Sequence, residues 1–198
     1  MALLAFTDGL PRRPRRVLVA GTSGSGKTTI AGAIAEALGL PHIEIDALYH
    51  GPNWTPRQAF ETDVRTFSSQ PAWVTEWQYS QVRPLLADRA DLVVWLDLPR
   101  RIVMRQLIWR TLHRRLRRQR LWNGNIEPPL WTVVRDHEHV VRWAWTTHHK
   151  TETRIRALSQ RRPDLPIVRF RSREEAMHWL TVTLPASTTD GTGDGPTT

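Results

Sequence analysis

The 198-residue sequence contains no cysteine. That excludes a disulfide framework, a thiolate metal site and a cysteine nucleophile. Long apolar runs are absent too. None, Leu92 to Leu96 included, approaches the roughly 20 residues that span a bilayer, so no membrane partner is expected. The opening Met1-Ala2-Leu3-Leu4-Ala5-Phe6 has no basic lead and meets Asp8 at once, unlike a signal peptide. A soluble cytoplasmic protein is the expectation. No H-E-x-x-H motif occurs, and the pairs His137/His139 and His148/His149 diverge on a predicted helix, which argues against zinc. No internal repeat is found. Acidic residues are outnumbered, 19 against 28 Lys and Arg, for a net charge of +9. The excess is mostly arginine. Such a field attracts nucleotides, nucleic acid and anionic lipid alike, so charge alone selects no partner. With 40% hydrophobic residues and ten tryptophans, core material is ample and intrinsic disorder is excluded as the class.

What is present is organised around Gly21-Thr22-Ser23-Gly24-Ser25-Gly26-Lys27-Thr28-Thr29. This matches G-x-x-x-x-G-K-[ST], the phosphate-binding loop, in the context that pattern requires. Arg16 to Ala20 before it reads as a buried strand. Ile30, Ala31, Ile34, Ala35 and Leu38 after it form the stripe of a helix packed on a sheet. Glycines let backbone N–H groups approach an anion closely, and the helix aims its N–H groups and dipole at the same place. Lys27 then reaches the terminal phosphates of ATP, and the Thr28 hydroxyl ligates Mg²⁺.

Along the chain, residues 1–15 read as a flexible basic arm, 16–184 as the folded domain and 185–198 as a disordered tail. His42 to Asp46 reads as a second strand with an acid at its end, Ala72 to Glu76 as a third, Asp91 to Asp97 as a fourth and Pro166 to Phe170 as a fifth. Between them, Thr55 with Gln58 forms a capping box for a helix running to about Ser68, and Val82 to Arg89 makes a short helix. Residues from about 100 to 120 and from about 130 to 160 form two long helices, the first rich in arginine. Ser172 with Glu175 caps the last. Strands alternating with helices predict a parallel α/β sheet with right-handed crossovers. Its ligands should lie beyond the carboxyl ends of the strands, where Asp46, Glu76 and Asp97 fall.

The phosphate loop, Ile45-Asp46-Ala47-Leu48-Tyr49 with Asn53-Trp54, Asp91 to Pro99, Leu121-Trp122-Asn123-Gly124-Asn125 and Val168 to Ser172 together resemble the adenylate-kinase-like P-loop kinases. Within them, the bacterial topology-modulation (FlaR-like) proteins are the most similar branch. The resemblance implies a three-layer α/β/α fold, a five-stranded parallel sheet of order 2-3-1-4-5, ATP on the loop, and an arginine-rich lid over about 100–130. One departure stands out. Relatives carry Asp-Gly-Asn-Tyr at the end of the third strand, where this chain has Glu76-Trp77-Gln78-Tyr79.

Candidate roles follow. Asp46 either orients the acceptor hydroxyl or Mg²⁺, or is a strand-end turn acid. Glu76, beside the loop strand, is the second metal candidate after Thr28, and Asp97 is expected to cap the helix that follows it. Arg101 and Arg105 begin the helix where lid arginines start in the resembling kinases, and arginines closing on a transferring phosphoryl group stabilise its charge. Tyr49 and Trp54 are candidates to line an acceptor pocket. The expected function is Mg²⁺-dependent phosphoryl transfer from ATP to a nucleotide or small hydroxylated acceptor, with a nucleoside-monophosphate-kinase-like enzyme as the type. The alternative is a nucleic-acid-associated ATP-binding regulator whose arginine helix, with Trp109 and Trp122, carries binding to single strands.

Overall fold

The computed structural model describes residues 3–116 and 140–189. The chain forms β1 (Leu3–Leu4), β2 (Arg16–Gly21), α1 (Lys27–Leu38), β3 (His42–Ile43), α2 (Ile45–Tyr49), α3 (Phe60–Ser68), β4 (Trp73–Glu76), α4 (Arg83–Arg89), β5 (Leu92–Leu96) and α5 (Arg100–Leu116). After the undescribed stretch come α6 (Val140–Arg161), β6 (Ile167–Phe170), α7 (Arg173–His178), a π turn over Trp179–Thr183, and α8 (Leu184–Thr189). Among the described residues the sheet is parallel throughout and has six strands in the order β1-β6-β5-β2-β4-β3. This corrects the expected five-stranded order. The extra strand comes from the segment expected to be a flexible arm. Leu3 and Leu4 pair with Ile167 and Val168, and Arg13 donates to the Leu38 carbonyl at 2.9 Å.

Each strand residue commits to one of two layers because successive side chains alternate across the sheet. Val17 and Val19 join Ile30, Ile34 and Leu38 of α1 with Phe170, Trp179 and Leu184 in one core. Leu18 and Ala20 join Val64 of α3, Leu86 of α4 and Ile155 and Leu158 of α6 in the other. Burial on both faces explains why β5 reads as a continuous apolar run. Each fully buried Leu or Ile contributes about 1.5–3 kcal/mol, and the two layers fix the sheet that carries the loop.

Local chemistry overrode pattern in several places. The second strand stops at Ile43, because the Ile45 N–H is taken by Glu76 Oε2 at 3.1 Å and the chain turns into α2. Asp46 therefore lies in the first turn of a helix, not at a strand end. Thr55 caps no helix. Its hydroxyl donates to Pro52 O at 2.7 Å, and the Arg57 N–H bonds Tyr49 O at 2.9 Å, so α3 begins only at Phe60. Ser172 does cap α7, accepting from the Glu175 N–H at 3.2 Å. The expected tail is helical over Leu184–Thr189, and the Ser187 hydroxyl accepts from Leu10 N at 3.1 Å. Residues 190–198, the Leu121 to Asn125 turn with Trp122, the lid beyond 116 and the histidines near 137 lie outside the described residues.

Candidate functional site

At the carboxyl end of β2, Gly24 and Gly26 have φ of 83° and 90°, the left-handed region that penalises a Cβ. Gly24 is also boxed in by α5: a Cβ there would stand 2.9 Å from Leu107 Cβ and 3.2 Å from Val103 O. No side chain caps α1, which leaves its first N–H groups to an anion. Lys27 is buried, with Nζ 3.1 Å from Thr22 O, folded along the loop it would extend from. The buried Ser25 hydroxyl has no hydrogen-bond partner among the described residues. Thr28 and Thr29 are exposed in the first turn of α1. A depression beside the loop is lined by Gly26, Thr29, Ile30, Leu98, Ser172 and Arg173.

Glu76 ends β4 opposite Val19 of the loop strand and is 1% exposed. Its Oε2 holds Ile45 N–H, while Oε1 lies 3.4 Å from His42 Nε2 without an aligned hydrogen bond. Burial alone would push its carboxyl up, but His42 and the Ile45 N–H outweigh burial and hold it below its ordinary value. Glu76 is thus an ionised buried acid that starts α2 and keeps one unbonded oxygen. Asp97 does not cap α5: its carboxylate takes Nε and Nη2 of Arg169, whose guanidinium lies 4.7 Å from the Trp95 ring centre.

A second cluster forms beyond β3 and β4 around Asp46. Its Oδ1 accepts from the Tyr79 hydroxyl at 2.6 Å and from Gln78 Nε2 at 3.2 Å. His50 Nε2 lies 3.3 Å from the same hydroxyl. Since the Tyr79 proton is given to Asp46, the histidine Nε2–H must be the donor in that contact. Burial pushes His50 below its usual value, against the raising influence of Asp46, which keeps the imidazole neutral. Burial first, then the Asp46 charge, pushes the Tyr79 hydroxyl far above its usual range. Tyr49 stacks on Tyr79 with ring centres 4.0 Å apart, and Trp54 meets His50 edge-on at 5.1 Å. Asn53, Trp54 and Tyr79 have φ of 55°, 60° and 55°, conformations that cost of order 1 kcal/mol or more each and concentrate at functional sites.

The structure therefore brings Asp46, Tyr49 and Trp54 together, with Glu76 at the root of the same helix. Sequence reasoning missed His50, Gln78 and Tyr79. The signal for two of them was the segment after Glu76, where Gln78 departs from the relatives' pattern and Tyr79 keeps it. Arg101 and Arg105 are not brought to the loop. Val103 and Leu107 face Gly24, and residues two positions away on a helix fall on its far side, where both arginines are exposed.

A family model described as ATPase family associated with various cellular activities (AAA) matches residues 17–68. The chain also aligns with a gluconokinase from Sinorhizobium meliloti 1021 at 21% identity, covering 90% of this chain and 96% of that one, with a TM-score of 0.52. A sugar kinase from Janibacter sp. HTCC2649 aligns at 22% identity over 90% and 99%, TM-score 0.46. A shikimate kinase from Aquifex aeolicus vf5 aligns at 12% over 90% and 99%, TM-score 0.45. No curated protein matches the sequence. The gluconokinase likeness is a likeness of fold. The chain is an α/β P-loop domain of kinase-like fold.

Proposed function

We propose that this protein is a Mg²⁺-dependent phosphotransferase that binds ATP on residues 21–29 and passes its γ-phosphoryl group to a hydroxylated acceptor held at Asp46. The observation that carries the reading is the pairing of two built sites on one sheet edge. One is a phosphate loop with an uncapped helix behind it, the other a hydrogen-bonded acid on an aromatic platform. The nucleoside-monophosphate-kinase type and the topology-modulation branch remain part of this proposal.

In this reading the loop amides and Lys27 bind the β- and γ-phosphates, and the depression by Ser172 and Arg173 takes the base. A hydroxyl on the exposed residue Thr28 suits a magnesium hydrate, which would supply charge neutralisation between the phosphates when bound. Glu76 offers its unbonded oxygen only through an intervening water, because its other oxygen is committed to α2. Asp46, held by Tyr79 and Gln78, aims an ionised oxygen at the acceptor hydroxyl and receives its proton as the phosphoryl group transfers. Arg101 and Arg105 join only if α5 turns or closes.

Titration of Mg·ATP against wild type and Lys27→Ala tests the loop. The variant should bind at least about tenfold more weakly, as loss of a charge-assisted contact implies. Equal affinity would sink the assignment. Acceptors then follow from screening nucleoside monophosphates and small polyols for ADP release.

A second reading has one observation in its favour. Arg101, Arg105 and Trp109 share an exposed face of α5, with Trp109 68% exposed, which suits single-stranded nucleic acid. Binding whose logarithm is flat against log salt would end it.

A further inference from the structure

The loop between α2 and α3 closes into a small strained hairpin. His50 and Pro56 form an antiparallel bridge, and the Gly51 N–H donates to Thr55 O at 2.7 Å. A Cβ on Gly51 would stand 3.1 Å from that carbonyl, so glycine lets the two arms approach this closely. Arg57 staples the base of the hairpin. Its N–H bonds Tyr49 O at 2.9 Å, its Nη1 bonds Leu48 O at 3.1 Å, and its Nη2 pairs with Asp63 of α3 at 3.0 Å. At the tip, Asn53 and Trp54 are left-handed in succession, with φ of 55° and 60°. Pro52 O accepts from the Thr55 N–H at 3.3 Å and from the Thr55 hydroxyl at 2.7 Å. Two successive positive φ values make this a type I′ turn, whose central positions favour Asn and then Gly. Asn53 fits the first position. Trp54 occupies the second, where a Cβ is penalised.

The core does not explain that tryptophan. Among the described residues Trp54 joins neither of the two cores, and it stays partly exposed. Its indole meets His50 edge-on at 5.1 Å, and His50 in turn touches the Tyr79 hydroxyl that Asp46 holds. Backbone strain that packing does not require concentrates where a ligand is held. The neighbouring rings narrow the ligand. Tyr49 and Tyr79 lie closed on each other, ring centres 4.0 Å apart, so they form no slot for a flat base. What remains is an indole beside Asp46, Gln78 and His50, planar polar groups that exchange hydrogen bonds with hydroxyls.

We infer, resting on the kinase reading for Asp46 as the acceptor's partner, that Trp54 is the platform for a sugar ring. This narrows the acceptor to a cyclic sugar, over a nucleotide or an open-chain polyol. The indole face carries partial negative charge and attracts the polarised C–H groups on one face of such a ring, while the ring's hydroxyls reach the polar groups. A closed ring also loses fewer rotors on binding than an open chain, and the strained turn fixes the indole before the ligand arrives.

The test titrates the full chain calorimetrically with methyl glucoside, galactoside, mannoside and riboside, with the matching alditols, and with adenosine. At least one glycoside should bind, about tenfold or more tighter than its own alditol. Trp54→Gly should weaken that binding by about tenfold, Trp54→Phe by less, and Asp46→Asn should weaken it as well. The melting temperature of Trp54→Gly should stay within about 4 °C of wild type, because relief of the turn offsets the lost contact with His50. Absence of any bound glycoside, an alditol bound as tightly as its glycoside, or adenosine preferred over every glycoside would overturn the assignment. So would unchanged glycoside affinity in Trp54→Gly and Trp54→Phe, or in Asp46→Asn. A larger drop in melting temperature for Trp54→Gly would show the residue to be kept for packing and would overturn it too. Mg·ATP is titrated against wild type in parallel. Failure of that binding would sink the kinase reading and leave the sugar result standing.

Discussion

The two halves of the site are built from different materials. The phosphate loop is a contiguous run whose working parts are backbone N–H groups, set by glycines and one helix start. The Asp46 cluster is assembled from side chains of α2, the turn after it and the segment after β4. The first tolerates little change in shape and much change in neighbours. The second depends on hydrogen bonds between residues about thirty apart in sequence. Substitutions should therefore separate them.

The largest effect on stability is expected at Gly24. Alanine there meets both a φ of 83° and a Cβ 2.9 Å from Leu107, for a loss of about 2–4 kcal/mol read by thermal or urea unfolding. A smaller loss would mean that α5 moves aside freely. Next, Tyr79→Phe removes the 2.6 Å bond to Asp46, a hydrogen bond to an ionised partly buried acceptor, and should cost about 1–3 kcal/mol. Its Mg·ATP affinity should stay at the wild-type level; a parallel loss of both would show the halves to be coupled.

Two pH effects sharpen the contrast further. Glu76 has a folded pKa below its ordinary 4.5, so its contribution is full above 4.5 and is lost as pH falls through the folded value. Glu76→Gln should flatten that acid limb. His50 has a folded pKa below 6.5, so the unfolded chain takes up the proton first. Stability should begin to fall as pH drops below 6.5, and His50→Gln should abolish that earlier slope. Unfolding followed from pH 8 to 3 resolves the two limbs, and their absence in wild type would contradict the described environments. The smallest effect is expected at Arg101 and Arg105, whose alanine variants should shift stability by no more than about 0.5 kcal/mol, as for exposed sites.

The same difference explains what was legible. The loop was readable because its chemistry is local: the glycines, Lys27 and the helix stripe are neighbours in sequence. The parallel sheet was readable because β2 and β5 are buried on both faces. The sixth strand was not, since two leucines beside an Arg- and Pro-rich stretch carry no period, and only the edge of β6 makes them a strand. Asp46 was expected at a strand end because the pattern of His42 to Asp46 alternates. The intervention of Glu76 at Ile45 comes from thirty-one residues away. His50, Gln78 and Tyr79 gain meaning only when the chain turns back on itself.

The central claim is that donor and acceptor halves are distinct sites on one sheet edge. Mg·ATP affinity measured in parallel for wild type, Lys27→Ala and Asp46→Asn tests it most directly. The prediction is a loss of about tenfold or more for Lys27→Ala and wild-type affinity for Asp46→Asn. Equal losses in the two variants, or none in either, would contradict it.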